Sequence, residues 1–164
     1  MVKVFIAHSS EDGWLINPIA DNMRLIGVEP YLAKLEDPTP IPLPQKIDRA
    51  IESSVAMFVI LTSNVANTKE TRDVVNWEIS SAYAKKKPIY VFAEEGVDIP
   101  LMLNYITVYA KFNPLSQESL DSIVAKIHSI ATTLKESDDK GKAIGTFIML
   151  ILGIAFLGAL AEGK

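Results

Sequence analysis

The chain contains no cysteine among its 164 residues. Disulfide bonds, thiol nucleophiles and cysteine-based zinc sites are therefore excluded. It also contains only two histidines, so a histidine-rich metal cluster is excluded as well. We accordingly predict a protein that binds neither a metal ion nor a resident cofactor.

Clusters of positive charge and glycine-rich phosphate motifs are missing too. The formal net charge is −4, and no run of lysine and arginine suggests a nucleic-acid surface, so we predict no nucleic-acid partner. The sequence has no G-x-G-x-x-G, no P-loop and no G-x-S-x-G. These absences exclude the classical dinucleotide and phosphate cradles and the nucleophile elbow of serine hydrolases.

What the chain does have is a long apolar run near its end. Residues 143–161 (AIGTFIMLILGIAFLGALA) are nineteen positions without one charge. A helix of this length spans roughly 28 Å, close to the hydrocarbon thickness of a bilayer. Lysines are more numerous before the run than after it, which favours a preceding domain in the cytoplasm. We therefore predict a single-pass membrane protein with a domain in residues 1–135, a polar linker in 136–142 and a transmembrane helix in 143–161.

Strand-like and helix-like segments alternate through residues 1–135. Five runs rich in β-branched and aromatic residues predict strands, namely Val2–Ala7, Val28–Leu32 and residues 55–62, 88–93 and 106–110. Helical spacing predicts four helices, one beginning at Asn17 and Pro18, then 45–53, 71–86 and a last one after Ser116. This alternation predicts an α/β fold, a parallel sheet with helices on both faces.

In such sheets, ligands bind beyond the carboxyl ends of the strands. The first strand is followed there by HSSEDG, which makes His8, Ser9, Ser10 and Asp12 candidate ligand contacts. A helix cap and turn is the alternative interpretation, since serine and aspartate suit both.

A second candidate is Glu78, within VVNWEISSAY of the third predicted helix. It follows Trp77 directly and lies one turn from Val74 and Ala82. Such neighbours would partly desolvate the carboxylate and raise its pKa. A solvated glutamate on the helix surface is the alternative that the residues alone leave open.

Three segments together resemble a known family. VFIAHSSED at the first strand, VILTSN at the end of the third and NWEISSAYAKKKPIYVF before the fourth resemble Toll/interleukin-1 receptor (TIR) domains, particularly prokaryotic ones. The resemblance covers about residues 2–130. It implies a flavodoxin-like five-stranded parallel sheet, in agreement with the element order above.

The resemblance also implies a reaction. Many TIR domains cleave NAD at the nicotinamide–ribose bond, giving nicotinamide and ADP-ribose or a cyclic isomer, with a glutamate of the third helix as catalytic residue. Glu78 matches that position, and NAD would be a substrate rather than a cofactor. A carboxylate suits the positive charge that develops on the ribose. The other substrate contacts implied are His8, Ser9, Ser10, Asp12, Tyr31, Leu35 and Trp77.

A non-catalytic TIR scaffold that recruits other TIR proteins at a membrane is the alternative function. Catalytic members often carry tryptophan four residues before the glutamate, where this chain has Val74, and residues 37–44 hold four prolines and no glycine. Nucleoside glycosyl transfer would use a similar carboxylate. Either TIR function implies a homo-oligomer formed through TIR–TIR contacts.

Overall fold

Strands and helices alternate along the chain nearly as the sequence predicted. The computed structural model describes residues 1–33, 43–98 and 106–139. Its strands are β1 (Val2–Ala7), β2 (Val28–Leu32), β3 (Ala56–Leu61), β4 (Ile89–Glu94) and β5 (Val108–Phe112). Its helices are α1 (Gly13–Leu25), α2 (Leu43–Ser53), α3 (Ser63–Asn67), α4 (Lys69–Ala84) and α5 (Gln117–Asp139).

The five strands form one sheet in the order β2-β1-β3-β4-β5, and every neighbouring pair is parallel. Each residue of β3 is buried, as expected of a central strand that is covered on both faces. The predicted five-stranded parallel sheet is therefore confirmed. The parallel arrangement brings the carboxyl ends of the strands to one edge of the sheet.

Alternation along the strands separates two apolar cores. Val4 and Ile6 of β1 pack in the core that includes α1 and α5, whereas Phe5 and Ala7 pack in the core that includes α2 and α4. Helices thus cover both faces, as the sequence predicted. The second core includes α4, the helix that carries the candidate residue Glu78.

The start of the first helix was predicted wrongly. The Asn17–Pro18 pair suggested a cap, but α1 begins at Gly13 and contains Pro18 on its exposed side. The chain turns earlier because Ser9 caps a short 3-10 turn, Ser10–Asp12, by accepting a hydrogen bond from the backbone N–H of Glu11. Solvent can then satisfy the carbonyl group that proline leaves without a donor.

The end of the domain also differs from the prediction. Helix α5 continues through Asp139, so residues 136–139 of the predicted linker are helical, and Ser137 is buried. No helix within residues 1–33, 43–98 and 106–139 is long and apolar enough to cross a membrane. The predicted transmembrane helix, 143–161, and linker residues 140–142 lie outside the described residues, so the anchor stays a prediction.

Tyr90 of strand β4 has a buried hydroxyl group without a hydrogen-bond partner in the described part of the chain. Burial raises the pKa of this phenol. We expect Tyr90→Phe to raise the free energy of unfolding by about 1 kcal/mol, because it removes a desolvated group that gains nothing in return. Urea denaturation measures the change, and Tyr109→Phe, at an exposed position of strand β5, is the control. A less stable Tyr90→Phe variant would show that the hydroxyl is bonded.

Candidate active site

The candidate site begins where β1, β3 and β4 end, at the carboxyl edge of the sheet. Asp12 is 1% exposed there, and both of its carboxylate oxygens accept hydrogen bonds. Thr62 donates through Oγ1 at 2.5 Å and Asn64 through Nδ2 at 2.7 Å. These bonds fasten the start of α1 to the segment after β3. The structure therefore places Asp12, a predicted substrate contact, in a role that holds two loops together.

A second bond fastens β4 to the same segment. The carboxylate of Glu94, at the end of β4, accepts the backbone N–H of Ser63 at 2.7 Å. No role was predicted from the sequence for Glu94 or for the pair Thr62 and Asn64. The signal that could have found the pair is the one used for the first loop, because small polar residues also follow directly after β3.

The three remaining candidates of the first loop differ in their surroundings. Ser9 is buried and acts as a cap, as the alternative interpretation of this loop proposed, whereas Ser10 is exposed. His8 is half-buried and donates through Nδ1 to the carbonyl oxygen of Ile6 at 2.9 Å. Burial lowers the pKa of His8 despite this hydrogen bond and the nearby Asp12 carboxylate. The imidazole is therefore neutral at pH 7 and can contact a ligand without adding charge.

Glu78 has a buried carboxyl group. It is only 3% exposed, on the face of α4 that also buries Val75, Ile79 and Ala82. Within the described residues, no hydrogen-bond donor or cation contacts its carboxyl group, and burial alone raises its pKa to about 8. A carboxyl group in this state is neutral at pH 7 and close to its titration point, as acid–base and charge-stabilising groups of enzymes often are.

The packing of α4 relates Glu78 to the carboxyl edge. Helix α4 starts after β3 at that edge and contacts β1, β3 and β4. Val75 and Ile79, which flank Glu78 on its face, belong to the same core as Ala7 and Leu61, the last residues of β1 and β3. Glu78 thus lies on the face of α4 that packs on the sheet, nine residues after the start of the helix.

The other predicted contacts have different surroundings. Trp77 is 42% exposed, because the next position along a helix is turned by about 100° from the face of Glu78. Tyr31 stacks on Phe5 with ring centroids 5.5 Å apart and lines a groove beside α2. Leu35 lies outside the described residues. Among the residues that the structure describes, no three histidine, aspartate or glutamate side chains are grouped to hold a metal ion.

The arrangement combines a poised carboxyl group with small polar side chains at the edge of the sheet. The carboxyl group can give or take a proton, or stabilise a developing positive charge when ionised. The polar loops offer hydrogen bonds to the hydroxyl and phosphate groups of a nucleotide.

Comparisons with known proteins agree with this fold. A family model described as TIR domain matches residues 4–127. The CMP N-glycosidase BcmB of Clostridium botulinum is similar, with 18% identity, a TM-score of 0.56 and coverage of 76% of this chain and 98% of that chain. The TIR domain of the Toll-related receptor TRR-2 from Hydra magnipapillata shows 17% identity, a TM-score of 0.53 and coverage of 76% and 96%. At these identities both structures show the fold alone, and no curated protein matches the chain.

Proposed function

Because this chain belongs to the Toll/interleukin-1 receptor (TIR) domain family, we propose that it cleaves the nicotinamide–ribose bond of NAD+. The observation that carries the proposal is the Glu78 carboxyl group, 3% exposed and without a polar partner among the described residues. An unpaired buried carboxyl group weakens a fold, so its presence favours a chemical role. The polar loops at the carboxyl edge would contact the ribose and phosphates.

The main contribution of the protein to this reaction is to stabilise the positive charge that develops on the ribose. The bond between C1′ of ribose and the nicotinamide nitrogen breaks, and its electron pair neutralises the pyridinium ring. The ribose becomes oxocarbenium-like, and an ionised Glu78 stabilises that charge. Water then adds at C1′ and releases a proton, which gives ADP-ribose. Attack by a nitrogen of the adenine instead would give a cyclic product.

The ionisation of Glu78 gives this proposal a pH dependence. In the protein without substrate the carboxyl group is protonated at pH 7, because its pKa is about 8. The positive nicotinamide ring favours the carboxylate, so binding of NAD+ is coupled to loss of this proton. We therefore expect kcat/KM for NAD+ to rise with pH and to level off above about pH 8.

The protonated state of Glu78 also favours a second candidate function. A neutral base such as cytosine leaves ribose more easily when an acid donates a proton to it, and a carboxyl group with a pKa of about 8 can be that acid. The similar CMP N-glycosidase shows that this fold accommodates such a reaction. For a neutral base, kcat/KM would fall as pH rises through about 8, the opposite of the trend for NAD+.

One experiment tests the proposal against both alternatives. The purified full chain is incubated with NAD+ or with CMP between about pH 6 and pH 9, and released nicotinamide or cytosine is measured by chromatography. Nicotinamide release that rises with pH supports NAD+ cleavage. Cytosine release that falls with pH favours the second candidate, and release of neither base favours the non-catalytic scaffold.

We further propose that the domain works as a homo-oligomer on a membrane, in signalling or defence, as a TIR domain of the prokaryotic type. The charge-free residues 143–161 support the anchor, with the domain on the cytoplasmic side. Confinement to a membrane would raise the effective concentration of the domains and favour their contact. Sedimentation with lipid vesicles of the full chain, but not of a chain that ends at Asp139, is the expected result.

A further inference from the structure

Helices α2 and α4 lie side by side on one face of the sheet, and polar side chains join them. We call this group the α2–α4 clamp. Its members are Asp48 and Glu52 of α2, Ser81 of α4 and Lys85, which directly follows α4.

One carboxylate oxygen of Asp48 contacts both Ser81 and Lys85. Ser81 donates through Oγ to Oδ1 of Asp48 at 2.9 Å. The Nζ atom of Lys85 lies 3.2 Å from the same oxygen and 3.2 Å from Oε2 of Glu52. The hydrogen bond from Ser81, and then that from Lys85, lower the pKa of Asp48. Hydrogen bonds to Glu52 and Asp48 raise the pKa of Lys85, so Asp48 and Lys85 are oppositely charged at neutral pH.

The clamp and Glu78 share one stripe of α4. Glu78, Ser81 and Lys85 stand at positions i, i+3 and i+7, which fall on the same side of a helix. Since Ser81 and Lys85 both contact α2, this stripe faces α2. Both helices run against the direction of the strands and are thus parallel to each other. Glu78 therefore lies one turn before Ser81, on the side of α4 that faces α2.

Few other charges are directed at this stripe from the described residues. The sheet beneath α4 contributes apolar side chains, among them Phe5, Met57 and Val59. Lys46 and Arg49 of α2 line a groove with Tyr31 on the other flank of that helix. Asp48 and Glu52 of α2 are directed at Lys85, and Lys87 donates through Nζ to the carbonyl oxygen of Glu52 at 2.7 Å.

We infer that the α2–α4 clamp is a positioning device, which holds α2 closed against the stripe that carries Glu78 and so limits the access of water to its carboxyl group. The inference deepens the proposed function and rests on it where it speaks of catalysis. Opening the clamp would hydrate Glu78, favour its ionised form and move its titration to lower pH. The clamp residues thereby set the pH range of the reaction without touching substrate.

Asp48→Ala tests the inference, because it removes the partner of Ser81 and one of the two carboxylates that contact Lys85. We expect the pKa of Glu78 to fall by at least about one unit, measured by NMR from the carboxyl carbon of the labelled full chain across the pH range. The midpoint of the pH profile of kcat/KM should move by the same amount. Asp73→Ala is the matched control, since it breaks the 2.6 Å Lys69–Asp73 ion pair on the exposed side of the same helix.

A graded response is expected from two milder variants. Asp48→Asn keeps an acceptor for Ser81 and should shift the pKa of Glu78 less than Asp48→Ala does. Ser81→Ala removes one hydrogen bond and serves if Asp48→Ala does not fold. An unchanged pKa of Glu78 in the folded variants would overturn the inference. The NMR measurement needs no turnover, so a shifted pKa without NAD+ cleavage would contradict only the proposed function.

Discussion

Replacement of Glu78 by alanine is expected to lower the rate of NAD+ cleavage at least about 100-fold, the usual scale for the loss of a charge-stabilising group at a reacting centre. The reason is that no second carboxylate within the described residues lies on the buried face of α4 to replace it. Chromatographic measurement of released nicotinamide gives the rate.

The matched control for this variant is Glu70→Ala. Glu70 lies in the first turn of the same helix and is exposed, so its loss should leave the rate unchanged. Equal rates in Glu78→Ala and the parent would remove Glu78 from the mechanism. A similar loss in both variants would point to a disturbed helix rather than to a missing catalytic group.

Glu78→Gln is expected to make the protein more stable. The pKa of Glu78 is about 8 in the folded chain against an ordinary value of 4.5. Between these values the folded state keeps a proton that the unfolded chain has lost, so the free energy of unfolding falls as pH rises from 4.5 to about 8. At pH 7 this amounts to about 3 kcal/mol. Glutamine stays neutral and has nearly the same volume, so it removes the penalty.

Urea denaturation of parent and variant at several pH values measures this effect. The two should be equally stable near pH 4, and the gain from Glu78→Gln should grow until about pH 8. Glu70→Gln on the exposed side should give no gain at any pH. A constant difference across this range would mean that Glu78 is not protonated in the folded protein.

The two expectations together describe a residue that weakens the fold and carries the reaction. Removal of a carboxyl group that only supported the structure would lower stability. Sites kept for catalysis often show the reverse, since activity needs a group that the fold alone would not favour. The clamp between α2 and α4 fits this view, because it holds a helix over a group that would be more stable in water.

The fold could be predicted from the sequence because the strands are almost wholly apolar and the helices between them have clear spacing. The first and last residues of the strands and helices were predicted less accurately. The last strand was predicted in 106–110 but is Val108–Phe112, and the five-residue helix α3 was missed because it is too short for a period to be seen. The start of the first helix was predicted too late, because Pro18 suits the first position of a helix, whereas the helix actually begins after the turn Ser10–Asp12.

The sequence left open whether Glu78 is buried, and the neighbours that suggested its burial were only partly the right ones. Val74 and Trp77 were expected to desolvate it, yet their side chains are 48% and 42% exposed. Its buried neighbours on α4 are Val75, Ile79 and Ala82, and the helix packs on the sheet. Spacing indicates which side chains share a face, but it does not indicate which face another element covers.

The polar network around Asp12 could not be predicted in the same way. Asp12 is 50 residues from Thr62 and 52 from Asn64 along the chain, and only the pairing of β1 with β3 brings them together. A local pattern could suggest that the first loop binds a ligand. It could not show that both oxygens of its carboxylate are already occupied by side chains from another loop.

The most direct test of the account is the release of nicotinamide from NAD+ by the full chain and by Glu78→Gln, measured side by side at about pH 8. Glutamine keeps the shape of the side chain and should leave the fold at least as stable, so unfolding cannot explain a lower rate. The account predicts release by the parent and at least about 100-fold slower release by the variant. Equal release by both proteins, or no release by the parent, would contradict it.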